Sequence, residues 1–74
     1  MPKLPSLTST DVIRILKKKG FILDRVKGSH HIYFHPEIHR RVIVSYHKRD
    51  LPKGTLYEIL KQAGLTKEEV NNLL

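Results

Sequence analysis

The stretch FILDRVKGSHHIYFHPEIHRRVIVSY, residues 21–46, decides the fold, because it breaks into three short runs separated by turn formers. FILDRV alternates Phe21, Leu23 and Arg25 against Ile22, Asp24 and Val26, the period of a strand. Lys27 and Gly28 supply a tight turn. SHHIYFHP then continues as a second strand that stops near Pro36, since proline cannot donate to a ladder. Residues 37–40, EIHR, form a hairpin loop, and RVIVSY, residues 41–46, is β-branched and apolar enough for a third strand.

Working outward, SLTSTDVIRILKKKGF carries helix signals. Thr8 with Asp11, or Ser9 nearby, supplies an N-cap. Val12, Ile13, Ile15 and Leu16 make an apolar stripe, Lys17, Lys18 and Lys19 load the last turn, and Gly20 is a stop. Before it, the first eight residues, with Pro2 and Pro5, read as an irregular arm. On the other side, TLYEILKQAG puts Leu56, Ile59, Leu60 and Ala63 on one core-facing stripe and ends at Gly64. Thr55 with Glu58 fits a capping box, although the helix has the option of starting a turn earlier at Pro52. Thr66 with Glu69 opens a short terminal helix bearing Val70, Leu73 and Leu74.

The order α-β-β-β-α, with a short extra C-terminal helix, predicts an α+β fold. It is one domain over residues 1–74, an arm over 1–8 followed by a folded unit over 9–74. The simplest packing is a three-stranded antiparallel sheet with the helices on one face.

Fourteen Lys+Arg against seven Asp+Glu give a formal charge of +7, the electrostatic footprint of a polyanion binder such as nucleic acid. There is no cysteine, which excludes disulfides and thiolate zinc sites and fits a reducing cytoplasm. The opening residues lack the apolar core of a signal peptide, and no apolar run approaches a membrane span, so a soluble cytoplasmic chain is expected. No cofactor is implied.

Histidine is the residue type that stands out. Strand alternation groups His30 with Ile32 and Phe34, and Ser29, His31, Tyr33 and His35 on the opposite face. Taking Ile32 and Phe34 as core leaves His31, Tyr33 and His35 lining an open face. His30 then sits at the rim beside Gly28, where a bulge at Gly28–Ser29 would turn it outward. A shared metal ion does not fit, because His31 and His35 stand about 13 Å apart at the strand rise. No metal site is expected. Ordinary polar surface is one remaining reading. Catalysis on RNA is the other: imidazole exchanges protons near neutrality, and cleavage through the ribose 2′-OH needs proton transfer plus cations to stabilise charge on phosphate.

The motifs GSH at 28–30, VIVSYH at 42–47, DLPKGT at 50–55 and ILKQAGL at 59–65 together resemble the HicA (YcfA-like) toxin family over nearly the whole chain. The resemblance implies a double-stranded-RNA-binding-domain-like fold. It implies the toxin of a type II toxin–antitoxin system, a ribosome-independent endoribonuclease that cleaves mRNA and is neutralised by a HicB-type antitoxin in a hetero-oligomer. The family's essential histidine carries over to His30, within Gly28-Ser29-His30, and His47 matches the later motif histidine. Ser45 stands where the family usually has proline. Members with the histidine one place later make His31 a close second. The alternatives are a catalytically silent RNA-binding module of the same fold and a basic protein-interaction domain.

The remaining RNA-contact candidates are Arg25, Lys27, Gly28, Ser29, Tyr33, His47, Lys48, Arg49 and Lys53. The last four, His47 at the third strand's exit followed by Lys48 and Arg49, with Lys53, form the basic segment before the long helix and suit phosphate contacts. Tyr33 is either a base-stacking aromatic or a solvated strand tyrosine. Gly28 is more simply a turn glycine than a place of close RNA approach. Lys17, Lys18 and Lys19 are expected to face solvent.

Overall fold

Asp11 and Thr8 close a reciprocal capping box in which the Thr8 hydroxyl accepts from the Asp11 amide and the Asp11 carboxylate accepts from the Thr8 amide, and from there α1 runs Ser9–Lys18. In the computed structural model, which describes residues 4–46 and 49–74, five further elements follow. They are β1 (Ile22–Lys27), β2 (His30–His35), β3 (Arg40–Ser45), α2 (Lys53–Ala63) and α3 (Lys67–Leu73). The strands form one antiparallel sheet in the order β1-β2-β3, and the whole is the α-β-β-β-α arrangement of a double-stranded-RNA-binding-like fold with α3 appended. Among the described residues no helix is long and apolar enough to cross a membrane.

Both longer helices end in the same way. Gly20 (φ +100°) and Gly64 (φ +72°) turn left-handed, and the amides of Phe21 and Leu65 reach back to the carbonyls of Leu16 and Leu60. These are Schellman stops, which place an apolar residue just past each helix against its last turn. The start of α2 differs from its expected capping box. Pro52 is the N-cap and gives no side-chain cap, so the helix begins a turn before Thr55. Thr66 with Glu69 does close the box that opens α3.

The core joins Val12, Ile15 and Leu16 of α1 to Val42 and Val44 of β3 and Leu56, Ile59, Leu60 and Ala63 of α2. Burying each of the Val, Leu and Ile side chains contributes about 1.5–3 kcal/mol, which is why these stripes dictate the layering. The N-terminal arm is not wholly irregular. Leu7 is buried, its carbonyl accepts from the Leu51 amide at 2.7 Å, and Thr8 bridges Asp50. This tie holds the segment that leads into α2. The lysines ending α1 are exposed as expected, yet two of them fasten α3: Lys18 donates to the Leu73 carbonyl and Lys19 pairs with Glu69, each at 2.8 Å.

The covered face of the sheet is the reverse of the expected one. Tyr33 is 3% exposed and His35 is 9% exposed, both beneath the helices, while Ile32 and Phe34 lie on the open face. The register explains it. Tyr33 pairs with Val42 and His31 with Val44, and those two valines are fully buried; Ile32 pairs with Ile43 and Phe34 with Arg41, which are exposed. A one-residue change of register moves a strand's whole side-chain set to the other face, so β3 decides the sidedness of β2.

β1 departs from regular alternation as well. Its register shifts between Leu23 and Arg25, so Ile22, Arg25 and Lys27 share the open face with Phe34, Ile32 and His30 respectively. The bulge thus lies at Asp24, and not at Gly28–Ser29. The helices cover the β2–β3 half of the sheet and leave every residue of β1 exposed.

Candidate active site

His30 opens β2 immediately after a two-residue hairpin turn. Gly28 has φ +61° and Ser29 does not enter positive φ, the signature of a type II′ turn with glycine in its first central position. The Ser29 carbonyl accepts from the Tyr46 amide at 2.8 Å, which fastens the turn to the exit of β3. His30 is exposed and pairs in register with Lys27 on one side and Ser45 on the other.

From this position His30 borders an open recess of about 450 Å³ between the sheet and α2. Ile43 and Ser45 continue its sheet wall, and Gly54, Thr55, Glu58 and Gln62 form its helical wall. The Gln62 side chain sets that wall, because its Oε1 accepts from the Ile43 amide at 3.2 Å while its carbonyl accepts from Arg40 at 3.1 Å. Farther along the same margin of β3, Ser9 Oγ donates to the Ser45 carbonyl at 3.1 Å. With no side-chain cap at Pro52, the first-turn amides of α2 are directed out of the helix beside this recess, where the dipole favours negative charge.

The arrangement separates the two histidine candidates. His31 lies on the helix side, pairs with Val44, and stacks its ring on Tyr46 with centroids 5.5 Å apart. It does not border the recess. The disagreement between motif and alternation disappears, because the face shared by His30, Ile32 and Phe34 is the open one. No bulge is required to turn His30 outward.

The other expected contacts divide clearly. Arg25 and Lys27 are exposed on the same open face as His30, Gly28 and Ser29 form the adjoining turn, and Arg49 and Lys53 are exposed around the entry to α2. Tyr33 is withdrawn into the core, where burial raises its phenol pKa above the usual value. Its ring therefore does not meet a base. His47 and Lys48 lie outside the described residues. His35 is structural: Nδ1 accepts from the Glu37 amide at 3.2 Å and Nε2 donates to the Lys19 carbonyl at 2.9 Å. Among the described residues no group of three His, Cys, Asp or Glu side chains is placed to hold a metal ion.

Three residues of the recess escaped the sequence reading. Thr55, Glu58 and Gln62 follow the i, i+3, i+7 spacing of a single helical stripe beside the core stripe. That spacing is the available signal, of which Thr55 and Glu58 alone suggest only a helix cap.

Comparison with curated proteins finds no match. A family model described as the HicA toxin of bacterial toxin–antitoxin matches residues 9–65, from the first residue of α1 to the stop of α2, and so includes every wall of the recess. The chain belongs to the HicA toxin family and is the toxin member of a toxin–antitoxin pair.

Proposed function

We propose that the chain is a metal-independent, ribosome-independent endoribonuclease that cleaves mRNA through His30 and is neutralised by a HicB-type antitoxin. The observation that carries this reading is the exposed imidazole of His30 in a recess beside the first turn of α2. In such a reaction the ribose 2′-oxygen attacks the adjacent phosphorus, the bond from phosphorus to the 5′-oxygen breaks, and that oxygen takes up a proton. The products are a 2′,3′-cyclic phosphate and a 5′-hydroxyl. His30 moves the proton at the 2′-hydroxyl or at the leaving oxygen, which contributes about 10²–10⁴-fold. Lys27, Arg49, Lys53 and the first-turn amides of α2 supply positive charge for the phosphate as its negative charge grows.

Its test is cleavage of single-stranded RNA by the pure chain in the presence of EDTA, with loss of cleavage in His30→Ala. Undiminished cleavage in both His30→Ala and His31→Ala would sink the assignment. Absence of any cleavage by the intact chain would favour a silent RNA-binding module. Growth arrest on expression, relieved by co-expressing the antitoxin, connects the chemistry to the toxin role.

A further inference from the structure

The open face of the sheet is unusual for a surface that meets water. Its middle is apolar, with Ile22 56% and Ile43 46% exposed on the outer strands and their partners Phe34 and Ile32 half-buried on β2, where a solvated antiparallel face ordinarily presents polar side chains. Around this middle stand Arg25, Lys27 and Arg41. The Arg41 guanidinium lies over the Phe34 ring, 5.3 Å from its centroid. Asp24, at the bulge, sits 3.7 Å from both Arg25 and Arg41 and keeps the two guanidinium groups on the face.

We propose that this face is the track on which an unpaired RNA strand lies, running from His30 to a base-stacking platform made of Phe34 and Arg41. The inference deepens the endoribonuclease reading and rests on it for the role of His30. Its own content is the surface that holds the strand. Two features choose the occupant. Cations alternating with planar and aliphatic groups match a ligand that alternates phosphates with flat apolar rings, and base faces stack on both aromatic rings and guanidinium planes. A duplex hides its base faces and offers phosphate and sugar outward, so it would gain from the arginines but not from Ile22, Ile43 or Phe34. The track is also continuous with the reacting end. His30 and Phe34 project from the same face of β2, about 13 Å apart at the strand rise, a length that a few extended nucleotides span.

The fold contains its own control. Tyr57, on α2, is 44% exposed and carries Lys67 over its ring at 5.1 Å, an equivalent aromatic–cation pair away from the sheet. Binding is read by fluorescence anisotropy of an end-labelled single-stranded RNA oligonucleotide, and of the same oligonucleotide in a duplex, on the full His30→Ala chain at several salt concentrations. The single strand should bind more tightly than the duplex. Arg41→Gln should weaken single-strand binding about tenfold and lower the salt slope by about 0.7. Arg41→Lys should keep the slope but lose part of the affinity, because a compact ammonium does not stack as a guanidinium does. Phe34→Leu should weaken single-strand binding several-fold at unchanged slope, whereas Tyr57→Leu should leave it as it was. Equal losses in Phe34→Leu and Tyr57→Leu, a preference for the duplex, or losses seen only toward an acidic protein partner would each overturn the track. The two readings fail separately. A His30→Ala chain that still cleaves removes the catalytic assignment, while unchanged affinity in Arg41→Gln removes the track and leaves His30 untouched.

Discussion

Nε2 of His35 lies 2.9 Å from the Lys19 carbonyl, and a Cβ built on the neighbouring Gly20 would come within 2.9 Å of that same nitrogen. The buried histidine therefore closes the end of α1 and at the same time forbids a side chain there. Phe21 completes the arrangement with its ring edge-on to His35, centroids 5.1 Å apart.

Gly20→Ala should consequently cost about 2 kcal/mol in urea denaturation, from the positive φ and the close approach together. His35→Ala removes the obstructing ring, so part of that cost should vanish in the double variant. Equal costs in both backgrounds would mean that the backbone alone accounts for the glycine.

Stability should fall with acid. The hydrogen bond from Lys19 holds the Glu69 carboxyl below its ordinary pKa, and the Thr8 amide does the same for Asp11. Because the folded values are depressed, the unfolded chain binds more protons in the acid range, and stability rises with pH there. The contribution is complete above the unfolded carboxyl values of about 4 and is lost as pH falls through the lower folded values. Thermal melts of Glu69→Gln should show a flatter acid limb than those of the parent. Identical limbs would contradict the prediction.

Gln62→Leu should loosen α2 against the margin of β3, costing about 1 kcal/mol for the lost acceptor at the Ile43 amide. RNA cleavage should drop as well, since the helical wall of the recess loses its fixed distance from His30. Gln62→Glu retains an acceptor at that position and should restore most of the stability. A Leu variant as stable as the parent would show that the amide is dispensable.

Gly28 has open space where a Cβ would be, so only its φ of +61° restricts substitution. Gly28→Asn should fold and cleave RNA much as the parent does, because asparagine is among the few residues that positive-φ positions of hairpin turns accept. Gly28→Val should lose about 1 kcal/mol or more and disturb His30. Lost cleavage in a stably folded Asn variant would point instead to RNA backbone passing against the glycine.

Much of this architecture was legible because its signals are local. The Thr8–Asp11 and Thr66–Glu69 boxes, the glycine stops and the Leu56–Ile59–Leu60–Ala63 stripe each lie within a few residues, and each appears where its pattern puts it. The sidedness of β2 was not local. Ile32 and Phe34 are more apolar than Tyr33 and His35, yet Val42 and Val44 alternate with Arg41 and Ile43 on β3, and only the pairing register carries that choice across to β2. The site depended on the same information. His30 was identifiable by motif, but its solvent-facing direction follows from the register, and the same register buries Tyr33 and leaves Phe34 as the aromatic of the open face.

The two margins of the sheet are unequal. Along β3 the outward amide of Ile43 and carbonyl of Ser45 are taken by Gln62 and Ser9, whereas among the described residues no strand pairs with the outer side of β1 and every β1 residue is exposed. A strand added to such a sheet meets a freer margin at β1 than at β3. Two copies meeting β1 to β1 would use the outer margin of each, leaving at the ends of the joined sheet the β3 margins on which Gln62 and Ser9 already sit.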